Sequence, residues 1–568
     1  MNCRENPASQ QLADFIYSYY AFSYPQILSN EELCYDFINN EYLVLYRPLE
    51  EVLPLSLTRE NYDSIPALYT PLDVSYLDSS GILKVADQPN LGNRGSGVLI
   101  GIADTGIDYR NPLFRNPDGS TRILGIWDQT RPGAGLQNSQ QLYSLQYGTV
   151  YSQKQINQAL QSSDPLSLLP VDDPLGHGSM MAALAAGSAS VGFSGTAPEA
   201  SLAIVKLKPA KEYLRDFFLI QPDTAAYQEN DIMMGIKYLL MLAREKNMPL
   251  VILLGLGTNT GSHNGASPLG IYLSELSRSN GQIIVLAAGN ETGRGHHYRG
   301  MLQADAPFED VELRVGPKER GFTMELWARE SELYTIGVHS PSGEETGQIP
   351  ISPGEERHFF FLLEGTSLSV TYASTDTSTG NELIFLRFQA PAAGIWKFRV
   401  YHSLSIQGEY HVWLPIYPFI SEETFFLRPD PDTTITDPGN VASAITVAAY
   451  NHATESIYLH SSRGFSRTGT IKPDLAAPGV ELAVPAAPPG SSMATATGTS
   501  AAAAVTAGAA AILMGWNLTR PQPIALNTPI AKAILIRGAG RRPSSVYPNR
   551  EFGYGTLDLY NAFLAMRG

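Results

Sequence analysis

Three short stretches of this chain hold residue types that can do nucleophilic chemistry. In Gly498-Thr499-Ser500, a serine follows small residues and precedes Ala501-Ala502-Ala503-Ala504, a run broken only by Val505 and Thr506 on its way to Gly508 and Leu513. Alanine favours helix and lets neighbouring backbones approach closely, so the run reads as a buried helix. Ser500 then stands where a loop enters that helix, close to an N-terminus that favours negative charge. A serine in that place also serves as an ordinary N-cap. In Gly176-His177-Gly178-Ser179, a histidine between glycines opens a second small-residue helix over 180–187. A lone histidine is more often a packing residue, but the flanking glycines favour a site. In Asp104-Thr105-Gly106-Ile107-Asp108, a carboxylate closes the apolar run 98–103. Hydroxyl, imidazole and carboxylate are the groups of acyl transfer: a nucleophile, its base, and the acid that orients the base.

The elements that must position these groups follow from the apolar pattern. Runs without alternation mark buried parallel strands, and 98–103, 200–206, 251–254, 283–288 and 444–449 are such runs. Residues 231–246 have helical periodicity. Alternation of strand, helix and strand predicts an α/β fold with a doubly wound parallel sheet, whose strands carry their chemistry at the carboxyl ends. Two of the runs end in Gly255-Leu256-Gly257 and Gly289-Asn290. Residues 115–173, punctuated by Pro117-Asp118-Gly119 and Arg131-Pro132-Gly133, read as an elaborated surface connection. From 301 to 430 strand-like pieces recur at short spacing, which predicts an all-β insert of sandwich or jelly-roll type. Most of its aromatic residues, Trp327, Phe359, Phe360, Phe361, Phe388, Trp396, Phe398 and Trp413 among them, are expected to form its core and its seam rather than a carbohydrate site. Residues 1–70 read as a small α+β unit. The expected domains are therefore 1–70, 71–302, 303–430 and 431–568, the second and fourth forming one catalytic unit.

The chain has 568 residues, which exceeds one ordinary core. Its net charge of −16 disfavours nucleic acid and anionic membrane surfaces as partners. Residues 1–70 hold ten acidic and three basic residues, a local charge of −7. No signal peptide is recognised, and no apolar run suits a bilayer span. Cys3 and Cys34 are the only cysteines, which predicts neither a metal framework nor a disulfide scaffold.

Asp104-Thr105-Gly106, Gly176-His177-Gly178 and Gly498-Thr499-Ser500, in that order, resemble the three signatures of the subtilisin superfamily. Ala288-Gly289-Asn290 resembles its oxyanion segment, and Gly255-Leu256-Gly257 its substrate-pairing strand, with Gly255 in place of the usual serine. Ser179-Met180-Met181 and Ala504 also depart from the usual pattern, without removing a catalytic group. The acidic N-terminal unit, the connection with Ile126-Trp127-Asp128-Gln129 and the β insert look like the clostridial Csp germination proteases.

The resemblance implies a serine endopeptidase with a subtilisin-like sheet, a prodomain over 1–70 and a jelly-roll insert. Ser500 is then the nucleophile, His177 the base, Asp104 its orienting acid and Asn290 the oxyanion donor, with substrate paired along Gly255, Leu256 and Gly257. No cofactor and no metal are expected. The partners implied are a protein substrate, a spore-cortex lytic enzyme precursor activated by limited proteolysis, and the chain's own prodomain, cut near Leu68 or a few residues later, before Ser79, and retained as a plug. The location implied is cytoplasmic at synthesis and then spore-associated. Two other classes stand beside this one: a catalytically weak pseudoprotease-like scaffold that binds a partner, and a general intracellular degradative subtilase.

Overall fold

The computed structural model describes residues 7–18, 34–71, 80, 82–86, 91, 93–133, 135–136, 144–189, 193–352, 354–373, 380–404, 406–485 and 493–566. Three strands, β1 (Leu12–Ser18), β2 (Cys34–Phe37) and β3 (Tyr42–Pro48), form an antiparallel sheet in the order β1-β3-β2. Cys34 is disulfide-bonded, in a chain whose two cysteines predict no disulfide scaffold. After this sheet the chain runs as an extended strand, β4 (Leu68–Pro71).

The catalytic unit is built on β5 (Leu99–Asp104), β6 (Ile123–Asp128), β7 (Thr149–Ser152), helix α1 (His177–Ala186), β8 (Ser201–Lys206), β9 (Tyr227–Gln228), helix α2 (Glu229–Lys246), β10 (Leu250–Leu254), β11 (Leu256–Gly257) and β12 (Gln282–Ala287). It resumes after the insert with β23 (Ile445–Tyr450), β24 (Leu475–Pro478) and helix α3 (Thr499–Leu518). One eight-stranded sheet runs β24-β23-β12-β10-β5-β8-β6-β7, parallel except for β7. Every residue of β5, β10 and β23 is buried, because helices cover both faces of the sheet. The 115–173 connection is therefore more than surface: β6 and β7 extend the sheet, and Trp127 is fully buried against Tyr147 and Tyr238. The glycine and proline turns on either side hide these strands in the sequence.

Helix α3 lies across the sheet and against α1. Its alanines are a steric need. A Cβ on Gly508 would meet Thr196 Cβ at 2.3 Å and Ala185 O at 2.7 Å, so the helices pack almost backbone to backbone. α3 is apolar enough for a membrane span, but 89% of its most apolar window is buried in the protein.

The insert has two sheets. One is ordered β13 (His297–Met301), β21 (Glu409–Trp413), β15 (Gly321–Ala328), β19 (Glu382–Gln389), β18 (Thr366–Ala373), β17 (Glu356–Phe361). The other is ordered β16 (Leu333–His339), β20 (Gly394–Leu404), β14 (Glu309–Val315), β22 (Phe425–Phe426). Phe388 meets Trp396 and Phe398 edge-on between the two, at ring distances of 5.5 and 5.6 Å. Trp327, Phe361, Phe388, Trp396, Phe398 and Trp413 are all buried, as their core and seam reading requires, whereas Phe360 is exposed. The first strand starts ahead of residue 303.

Candidate active site

Asp104 is the last residue of β5 and His177 the first of α1. His177 Nδ1 lies 2.7 Å from Asp104 Oδ1, which also accepts from Thr105 N at 2.7 Å. A buried carboxylate can only accept, so Nδ1 carries the proton and Nε2 is left as a base. The glycines of the two motifs make this contact possible. A Cβ on Gly178 would stand 2.2 Å from Gly106 O, and one on Gly106 would stand 2.4 Å from Asp172 O. Gly106 also has φ +133°, a region that excludes side chains.

Asp173 holds the two motifs together. Its Oδ1 accepts from Thr105 Oγ1 at 2.6 Å and Gly176 N at 3.0 Å, and its Oδ2 accepts from Ser179 N at 2.7 Å. Thr105 Oγ1 in turn accepts from Gly178 N at 2.9 Å. An acid at a helix start is legible as a cap, but Asp173 is four residues ahead of His177, across Pro174-Leu175-Gly176, so no local pattern ties it to the histidine motif. Ser179, one of the departures from the family pattern, accepts from Asp108 N at 2.9 Å.

Ser500 is the second residue of α3 and is fully buried. Its Oγ donates to Gly255 O at 3.1 Å. Gly255 brings serine and histidine together. A Cβ there would lie 3.2 Å from both His177 Cε1 and Ser500 Cβ, and 2.8 Å from Met181 Cε. The departures at Gly255 and Met181 thus compensate each other: the methionine takes the space a serine side chain would need.

Asn290 follows β12 and Gly289. Its Oδ1 accepts from Thr499 N at 3.1 Å, and Thr499 Oγ1 accepts from Gly289 N at 3.0 Å. That pair sets the amide plane and leaves Nδ2 without a partner among the described residues, as a donor beside the start of α3. Thr499, read only as a small neighbour of Ser500, is thus a positioning residue.

Of the expected substrate-pairing residues, Leu256 and Gly257 carry an added strand, and Gly255 precedes it. β4 runs antiparallel to β11, with Pro71 opposite Leu256 and Thr70 opposite Gly257. On its other edge β4 pairs with β9, Leu68 opposite Gln228 and Tyr69 opposite Tyr227. Residues 72–79, which hold most of the span expected to be cut, lie outside the described residues. Burial, then the negative charges of Asp104 and Asp173, hold the Tyr227 phenol well above its usual range. Among the described residues no group of three or more His, Cys, Asp or Glu is arranged to hold a metal ion. The arrangement has the parts for acyl transfer: a hydroxyl, an imidazole with an oriented proton, an amide donor, and a strand edge that aligns a peptide.

Residues 95–316 and 427–555 match the family model described as the subtilase family. The solved structure of the CspB protease of Clostridium perfringens is similar to this chain, with a TM-score of 0.76 and 30% sequence identity. The match covers 86% of this chain and 96% of that one. No curated protein sequence matches.

Proposed function

The chain belongs to the subtilase family, serine endopeptidases, and from that premise we propose that it cuts off its own N-terminal unit and then makes one limited cut in a protein substrate. Ser500 Oγ attacks the peptide carbonyl and passes its proton to His177 Nε2. His177 then gives that proton to the leaving amine, and water repeats the sequence to free the acyl group. Asp104 holds the imidazole tautomer and stabilises the imidazolium. Asn290 Nδ2 and the Ser500 N–H receive the oxyanion.

The observation that carries this reading is the pairing of β4 with β11, next to the carbonyl that holds Ser500 Oγ. An extended segment of the chain's own N-terminal unit lies along the edge a substrate would use, leading toward the nucleophile. Tethering removes the bimolecular encounter, so even a slow triad completes one cut. The freed unit stays bound because its contacts survive. The likeness to a Csp protease supports a germination role, in which the substrate is a spore-cortex lytic enzyme precursor and the protein is spore-associated.

Purified wild type is expected as two co-purifying fragments of roughly 70 and 500 residues, and Ser500→Ala as one uncut chain. An uncut wild type, or the same cut in Ser500→Ala, removes the self-processing. With casein, a fluorophosphonate probe and a candidate precursor, the reading predicts probe labelling and a single clean cut. General digestion of casein would favour a degradative enzyme, and absence of both labelling and cut a binding scaffold.

A further inference from the structure

We infer that the far end of the substrate cleft is a subsite for a basic side chain, selecting protein substrates with lysine or arginine at the position Ala67 now holds. The inference rests on β4 standing where substrate lies. Just ahead of β4, Ala67 makes a two-way contact with Glu229, the first residue of α2. Glu229 N donates to Ala67 O at 2.9 Å, and Glu229 Oε2 accepts from Ala67 N at 3.3 Å. The other oxygen, Oε1, accepts from Leu269 N at 3.0 Å. Glu229 is 1% exposed.

A second buried carboxylate comes from the insert. Glu325, on β15, accepts from Tyr62 Oη at 2.7 Å through Oε1, and from Gly261 N and Trp327 Nε1 at 3.0 and 2.9 Å through Oε2. A small cavity is lined by Tyr62, Ala67, Glu229, Phe217, Phe218 and Trp327, and among the described residues no lysine or arginine lines it. The neighbouring Arg467 stands 6.0 Å from the Trp327 ring centre and gives its Nε to Ser262 O. Burial pushes the Glu229 carboxyl up to about 7 and raises Glu325 as well, as expected of carboxylates with no cation against them.

Two of the donors on these carboxylates, the Ala67 N–H and the Tyr62 hydroxyl, belong to the N-terminal unit, and both are neutral. A substrate strand that displaces the unit brings a backbone N–H of its own to Glu229 but has to replace the hydroxyl on Glu325. A lysine or arginine does so with charge: its stem packs on Phe217, Phe218 and Trp327, and its head reaches the carboxylates. The insert thereby contributes to specificity through Glu325 and Trp327, which the catalytic unit lacks.

The test varies residue 67 in the full chain. Self-cutting of Ala67→Lys is expected to run at least about tenfold faster than that of Ala67→Glu, with Ala67→Met between, one charge-assisted hydrogen bond being of that order. Glu229→Gln should erase the ranking. In parallel, thermal unfolding is read in a Ser500→Ala background, where no cut is needed. There Ala67→Lys is expected to melt above Ala67→Met, and the gap to close with Glu229→Gln. Equal rates and equal melting for lysine, methionine and glutamate overturn the subsite, as does a ranking that survives Glu229→Gln. If the lysine and methionine variants both fail to fold, the pocket does not accept a long side chain and the inference is wrong. If no chain is cut, self-processing falls while the melting comparison still decides the subsite.

Discussion

Gly178 admits nothing larger than hydrogen, because Gly106 O would lie 2.2 Å from any Cβ placed there. That one distance explains why two distant tripeptides have to be read as a pair. At the same scale, Asn290 is oriented by the Thr499 N–H on its Oδ1, so its amide donor is positioned before any substrate arrives. Asn290→Ala should therefore lower kcat by roughly 10²–10³ with little change in KM, a magnitude carried over from subtilisin, a relative of this chain. Single-turnover cutting measures it, and a loss confined to KM would contradict the oxyanion role. The catalytic types were legible because they sit in short glycine-flanked motifs. Asp173 was not, because its partners Thr105 and Ser179 belong to two different motifs that only folding brings together.

The insert shows what its strands hide. His297 on β13 and His411 on β21 meet through Nε2 and Nδ1 at 2.9 Å, and Trp413 stacks on both and on His263 of the catalytic unit. Burial lowers His297 to about 4 and pushes His411 well below its usual value. A second proton on this pair would set two N–H groups facing each other. The unfolded chain protonates His297 near 6.5, the folded chain only near 4, so its contribution to stability is full above pH 6.5 and is lost as pH falls toward 4. Glu229 and Asp437, both raised to about 7 by burial, have the opposite sign. The comparison is therefore made against His297→Gln. Between pH 6.5 and 4, wild type should lose about 1.4 kcal/mol per pH unit more than the variant, read from thermal melts. Parallel curves would show that the pair does not titrate on unfolding. The alternating strands of the insert are readable from sequence, but its first strand, His297–Met301, reads there as catalytic-unit chain, since pairing with β21 across more than a hundred residues leaves no local mark.

Across the whole molecule, buried ion pairs tie the N-terminal unit down. Lys211 Nζ reaches Asp14 Oδ1 at 2.7 Å and the carbonyls of Pro7 and Leu12 at 3.0 and 2.9 Å, with both side chains almost fully buried. Lys237 pairs with Asp36 at 3.4 Å. Removing one partner strands the other's charge in the interior, at a cost of about 3–5 kcal/mol. Lys211→Met should therefore weaken retention of the cut unit, so that the fragments separate on gel filtration. Asp14→Leu in the same chain should restore part of the binding. Continued co-purification of Lys211→Met would show that apolar contacts suffice.

The sequence alone determined the parallel sheet, the candidates Asp104, His177 and Ser500 and the existence of the insert, because each rests on local patterns: unbroken apolar runs, glycines where backbones touch, and strands at short spacing. The tertiary structure decided how those parts meet. It placed β6 and β7 in the sheet, β4 between β9 and β11, Glu229 on the wall of one pocket, and Glu325 bonded to Tyr62, Gly261 and Trp327 of that wall. Such neighbours are set by burial and by hydrogen-bond partners hundreds of residues away. A carboxylate with no cation beside it in space looks like any other glutamate in the sequence.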